Sequence, residues 1–225
     1  MAQEVKVITL PLPLGISRVN CYLLGSDAGY TLIDAGSSNA RRVLVRELES
    51  AGCKPGSLKL VILTHGDFDH TGNAAYLRRT FGARIAMHAD DAPMAERGDM
   101  FASRKKPNVV IRKLIPILSG FGQAARFTPD VLLEDGCDLS AYGLEATVIS
   151  IPGHTRGSIA ILTAGGDLFC GDLLDNTDKP VLNSLIDDPA AANASVAKLE
   201  ALRIGTVYPG HGPPFAMDLF TKSRT

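Results

Sequence analysis

The chain has 225 residues, of which 45% are hydrophobic and 21% charged, and its formal net charge is −1. That is enough apolar material for one sizeable core in a single large domain, and the charge balance excludes a basic nucleic-acid-binding surface. No apolar run approaches the roughly 18 residues of a membrane helix, and the opening MAQEVKVITLPLPL reads as a strand and not as a signal peptide. The expectation is therefore a cytoplasmic protein with no membrane or nucleic-acid partner, a small-molecule substrate, and a homodimer as the conceivable self-association.

In chain order, VKVITLPL and NCYLLGS alternate enough to be strands, and GYTLIDAG is a third ending in Asp-Ala-Gly. SSNARRVLVRELESAG follows as a helix, with Ser37 or Ser38 available as a cap, Val43, Leu44 and Leu48 at helical spacing, and Gly52 to end it. Leu58–Leu63 is an apolar strand, GNAAYLRRTFG a short helix, and ARIAMH another strand. This alternation is that of a layered α/β chain. Residues 92–129 break the rhythm with Met94, Met100, Phe101, Ile115, Ile117, Leu118, Phe121 and Phe127 among charges and prolines. They read as one or two inserted helices, either a lid over a site or a cover for a sheet edge. Arg104-Lys105-Lys106 within them reads as a solvated face. VLLED, LEATVISI, SIAILTA and DLFCGD then suggest a meander of strands, Asn193–Leu202 a helix, and TVYPGH a last strand. The cysteines at 21, 53, 137 and 170 contain no C-x-x-C and are expected to be reduced.

Four of the five histidines stand in loop-like settings after apolar runs, with carboxylates beside them: His65, Asp67, Asp69 and His70 in LVILTHGDFDHTG, His154 in VISIPGHTRGS, Asp172 in LFCGDLL, and His211 in TVYPGHGPP. Ligands from distant segments that converge where rigid strands end are what a metal site needs. Imidazole nitrogens with carboxylate oxygens suit Zn²⁺, with Fe and Mn as rivals. A metal pair needs roughly three protein ligands per ion and an open position for water.

T-H-G-D-F-D-H resembles the T-H-x-H-x-D-H signature of the metallo-β-lactamase superfamily. The resemblance runs in order from Asp34 in LIDAG through PGHTRGS and CGD to PGHG, covering roughly Cys21–Pro214. It implies an α+β fold, an αββα sandwich of two mixed β-sheets packed face to face with helices outside. It also implies two divalent metal ions, most simply Zn²⁺: His65 and His154 on the first, Asp69, His70 and His211 on the second, and Asp172 bridging them. Asp34 would hold the site loops without being a ligand, while Thr64 and Thr155 would satisfy loop backbone and orient histidines.

Asp67 departs from the signature, standing where the family has its second histidine. As a ligand of the first ion it would add negative charge and harden the site towards Fe or Mn; flavodiiron oxygen reductases carry a Glu there. Alternatively it would cap a helix beginning near Thr71. His88 is expected at a strand end, Arg156 in a salt bridge or in solvent, and Tyr22 and Tyr208 either in the core or facing a substrate carbonyl.

The activity implied is metal-assisted hydrolysis of a small ester, thioester or lactone, with Asp69 orienting the attacking hydroxide. The alternatives are a non-haem iron dioxygenase on the same fold and a non-catalytic metal-binding scaffold. A glutathione thioester is not expected, because only residues 212–225 follow His211; neither is an exported β-lactamase.

Overall fold

The computed structural model describes residues 4–15, 17–102, 104 and 125–222. Residues 105–124, which hold most of the expected inserted helices, lie outside the described residues.

Two sheets form the centre. The first contains β1 (Val5–Pro11), β2 (Arg18–Ser26), β3 (Gly29–Ile33), β4 (Leu58–Ile62), β5 (Arg84–His88) and β6 (Val131–Leu133), neighbours in that order. The β1–β2 and β2–β3 pairs are antiparallel, while β3 to β6 run parallel. The second contains β7 (Ala146–Ser150), β8 (Ile159–Thr163), β9 (Asp167–Gly171), β12 (Thr206–Pro209) and β13 (Phe215–Ala216), in the order β13-β12-β9-β8-β7. A small antiparallel ribbon, β10 (Leu174–Asp175) with β11 (Val181–Leu182), lies between β9 and the next helix in sequence. Only β7, β8 and β9 form the expected meander. VLLED belongs to the first sheet instead, because β6 pairs in parallel with β5.

Three buried apolar layers explain the stacking. Tyr22, Leu24, Ile33, Leu60, Ile62, Val148, Ile161 and Phe169 pack together between the sheets. The opposite face of the first sheet supplies Leu23, Leu32, Val61 and Leu63 to a layer completed by Leu44, Leu48, Leu77 and Phe81 from the helices α1 (Arg41–Ser50) and α3 (Ala74–Phe81). The outer face of the second sheet packs Ala160, Leu168, Cys170 and Val207 against Val196, Leu199 and Phe220 of α5 (Pro189–Glu200) and α6 (Met217–Lys222). Strands covered on both faces read as near-continuous apolar runs, which is why LVIL and FC interrupt any alternation. The result is the helix–sheet–sheet–helix sandwich that the resemblance implied.

Two short helices lie in the first half of the chain, α2 (Phe68–Thr71) and α4 (Ala92–Arg97). Met94 of α4 is fully buried and Phe127 nearly so, so the two described ends of the 92–129 segment pack onto the molecule. The cap expected at Ser37 or Ser38 is not made. A 3-10 turn over Ser38–Ala40 precedes α1, Ala40 takes the N-cap position, and the Ser37 hydroxyl bonds Asn39. All four cysteines are free thiols.

Candidate metal centre

Each candidate ligand lies at or just beyond the end of an element of the sandwich. His65 follows β4, Asp67, Asp69 and His70 stand at and within α2, His154 follows β7, Asp172 follows β9, and His211 follows β12. The first sheet thus supplies one loop and the second sheet three, and they meet at one edge. His65, His154 and Asp172 form one group with ligand atoms within 4.8 Å of each other; Asp69, His70 and His211 form another. Asp172 stands between them, Oδ1 3.2 Å from His70 Nε2, and Oδ2 3.2 Å from His211 Nε2 and 3.9 Å from His154 Nε2.

The outer nitrogens of the histidines are tied down. His154 Nδ1 donates to the Leu185 carbonyl at 2.5 Å and His211 Nδ1 to the Arg18 carbonyl at 2.6 Å. His70 Nδ1 donates to Asp34 Oδ2 at 2.8 Å. His65 Nδ1 lies 3.0 Å from the Thr64 hydroxyl, which itself donates to Asp34. Carbonyl and carboxylate oxygens only accept, so Nδ1 of His70, His154 and His211 carries a proton; the Thr64 hydroxyl, whose hydrogen goes to Asp34, accepts from His65 Nδ1, and each Nε2 turns inward. Asp34 thereby orients two histidines, one directly and one through Thr64, and also accepts from the Thr64 backbone N–H at 2.9 Å. It is the only non-glycine among the described residues with positive φ, at 60°. Such strain at Asp34 is held by the bonds around it.

The inward-facing atoms fit metal ions. His65 Nε2 is buried with no hydrogen-bond partner, a costly arrangement unless a cation or a shared proton answers it, while His70 Nε2 and Asp172 Oδ1 face each other at 3.2 Å. His154 Nε2 approaches Asp67 Oδ2 to 3.0 Å. This close approach needs positive charge beside it, and the Arg104 guanidinium supplies some of it, 2.7 Å from Asp67 Oδ1 and 3.2 Å from His154 Nε2. Burial would raise the Asp172 carboxyl, but His211 and His70 hold it well below the usual range. Burial would likewise lower His211, yet Asp172 pushes it up to about 9. Four buried carboxylates, at positions 34, 67, 69 and 172, gather here with four imidazoles and the Arg104 guanidinium. The donor set thus suits hard or borderline divalent ions.

Asp67 occupies the N-cap position of α2 but makes no side-chain cap bond. Its carboxylate turns inward instead, Oδ2 3.0 Å from His154 Nε2 and 3.6 Å from His65 Nε2, and Oδ1 2.7 Å from Arg104 Nη1. The reading of Arg104 as part of a solvated face is therefore corrected: its side chain is 8% exposed and enters the centre. Lys105 and Lys106 lie outside the described residues. Sequence pattern also missed Asp91, whose fully buried carboxylate accepts the Gly66 and Gly157 backbone N–H groups and the Thr155 hydroxyl. Thr155 thus ties loop to loop, while its neighbour's ring is oriented by Leu185. Nothing near Asp91 in RIAMHADD marks it apart from any turn carboxylate.

The weaker candidates fall away from the centre. His88 accepts the Asp90 backbone N–H at 3.1 Å in a turn, and exposed Arg156 pairs with Asp90. Tyr22 is buried and its hydroxyl donates to the Pro209 carbonyl at 2.5 Å, so it links the two sheets; Tyr208 stacks on Phe169 at 4.7 Å.

Comparison with known proteins shows what the chain is similar to. The sequence profile described as the metallo-beta-lactamase superfamily matches residues 14–211. A probable metallo-hydrolase of Bacillus subtilis, YqjP, is 28% identical over 94% of this chain and 72% of its own length. A hydroxyacylglutathione hydrolase of Anaeromyxobacter dehalogenans is 29% identical over 68% of this chain, which spans only 45% of that enzyme. Among solved structures, TTHA1623 in a di-iron-bound form superposes with a TM-score of 0.70 at 28% identity, over 94% of this chain and 96% of that one.

Proposed function

The chain belongs to the metallo-β-lactamase superfamily, and from that premise we propose that it is a dinuclear metallohydrolase acting on a small ester, thioester or lactone. The observation that carries this is the convergence, from loops of both sheets, of His65, His154 and Asp172 in one group and Asp69, His70 and His211 in another, with the ligand atoms of each within 4.8 Å of one another. His65, His154 and Asp67 would hold the first ion, Asp69, His70 and His211 the second, with Asp172 shared. Zn²⁺ is the metal favoured by the histidine count; the iron form of one relative and the Asp67 carboxylate keep Fe and Mn as competitors.

Bound divalent ions supply a Lewis acid for the substrate's carbonyl oxygen and bring a water's pKa from 15.7 towards ~7. The chain's own residues do the rest. Asp69 lies 3.6 Å from His211 Nε2 and is placed to orient the attacking water. Asp34, through His70 and Thr64, prevents the imidazoles from turning as charge develops. No serine or cysteine nucleophile is required. Thioesters are included because of the hydroxyacylglutathione hydrolase relative.

Elemental analysis of the purified chain, combined with a panel of p-nitrophenyl esters, thioesters and lactones, tests this reading. The expected result is two ions per chain and hydrolysis lost on chelation. Iron with oxygen uptake and no hydrolysis would replace it with a dioxygenase; a chain with one ion that ignores added Zn²⁺ or Mn²⁺ would sink the dinuclear assignment.

A further inference from the structure

Asp67 and Arg104 make one unit in the first pocket. Two of the donors facing that pocket, His65 and His154, are imidazoles and can be neutral; Asp67 brings a full negative charge into a site where it is only 6% exposed. Arg104 meets it with a full positive charge through a 2.7 Å contact from Nη1 to Oδ1. The remaining guanidinium contacts are equally specific. Nη2 lies 3.2 Å from the His154 carbonyl, to which it donates, and 3.2 Å from His154 Nε2, while Nε stands 2.8 Å from Asp187 Oδ2. One planar side chain thus spans the α2 loop, the loop after β7 and the loop before α5, a use of the guanidinium fork that an ammonium cannot copy.

The division of the carboxylate matters. Arg104 takes Oδ1 and so fixes the carboxylate's rotation, which leaves Oδ2 aimed between His154 and His65. Because Arg104 is already matched by two carboxylates, it is poorly suited to capture an anionic substrate. We propose that Arg104 is a positioning residue for metal binding: it neutralises and orients Asp67, so that the pair together does the work of a neutral third ligand for the first ion. The inference rests on the proposal that the pocket holds metal, and it makes the two residues interdependent. A neutral donor at position 67 is useful only if the arginine goes too, since a buried guanidinium without its partner is costly and repels an incoming cation.

The test is a titration of the metal-free chain with Co²⁺, followed by d–d absorption, for wild type, Asp67→His, and Asp67→His with Arg104→Met. Disturbing a group that supports a ligand commonly weakens metal affinity by about 10–100-fold. Asp67→His alone should lose at least about tenfold in affinity for the first ion, and the double variant should recover most of it. Equal first-ion affinity in the single and double variants would overturn the pairing. Arg104→Lys gives a second reading that does not depend on Asp67→His folding. It keeps the charge but not the fork, so first-ion affinity should fall about tenfold with the second ion unaffected. Wild-type affinity for both ions in Arg104→Lys would also overturn the proposal. A wild-type chain that takes up no cobalt would instead bring down the metal reading itself.

Discussion

At the scale of single residues, the residues that meet in the candidate centre were legible because each carries its own chemistry and its own loop context: a histidine or aspartate in a loop that follows an apolar run and contains a glycine. The supporting residues were legible only where a ligand motif included them, as with Asp34 and Thr64. Asp91 and Arg104 act from positions whose neighbours say nothing about the centre, because their partners are 25 to 83 residues away in sequence. Asp91 shows what such a residue does. Its carboxylate holds Gly66 beside His65 and both Thr155 and Gly157 beside His154, at 2.7–3.0 Å. Asp91→Ala would leave the Gly66 and Gly157 N–H groups without their acceptor in a fully buried place, while the Thr155 hydroxyl keeps Ser158 at 2.7 Å. We expect a loss of about 2 kcal/mol or more, since each buried unsatisfied group costs roughly 1–3 kcal/mol, together with weaker metal binding. Urea unfolding measures the first, and a loss under about 1 kcal/mol would mean that water replaces the carboxylate. Asp91→Asn should fall between the two, because the amide oxygen still accepts while its NH₂ faces another donor.

At the scale of elements, strands were easier to place than helix starts. β1 to β5 and β7 to β9 announce themselves by apolar content, and turn residues mark their ends. Sheet membership was not visible: β6 looks like the first strand of a meander, and only its parallel pairing with β5 assigns it to the other sheet. Helix starts depend on single hydrogen bonds. The helix expected from Asn193 begins at Pro189, because Asp188 accepts from the backbone N–H groups of Ala190 and Ala191 at 3.0 Å and Pro189 is already suited to the first turn. An alanine-rich first turn hid this start, since PAAAN has no apolar period to read. The cap can be tested by itself. Asp188→Ala should cost about 1 kcal/mol and lower the melting temperature by about 2–4 °C for a chain of this length, with metal content unchanged. Asp188→Asn should keep most of that stability, because its side-chain oxygen still accepts.

At the scale of the whole molecule, the centre is where the two sheets are joined by chemistry as well as by apolar packing. His65, Asp69 and His70 come from the first sheet's loops, and His154, Asp172 and His211 from the second's. Other polar links already cross the same seam: Tyr22 to the Pro209 carbonyl, Asn20 to the Pro209 and Gly212 carbonyls, and the Ile159 N–H to the Thr64 carbonyl. Ions shared between loops of both sheets would bind the native chain and not the unfolded one, so they stabilise by mass action. At free metal about a hundred times Kd, that amounts to roughly 3 kcal/mol, or a melting temperature higher by about 5–10 °C at this length. Chelation should therefore lower the melting temperature by that amount in a single transition, because both halves of the sandwich lose the same clamp. Calorimetry of the chelated chain decides the point. Two separated transitions would show that the apolar layer around Phe169 and Ile62 does not by itself hold the sheets as one cooperative unit. An unchanged melting temperature would show that the buried charges of the centre are satisfied without metal, by protons shared between Asp172, His70 and His211.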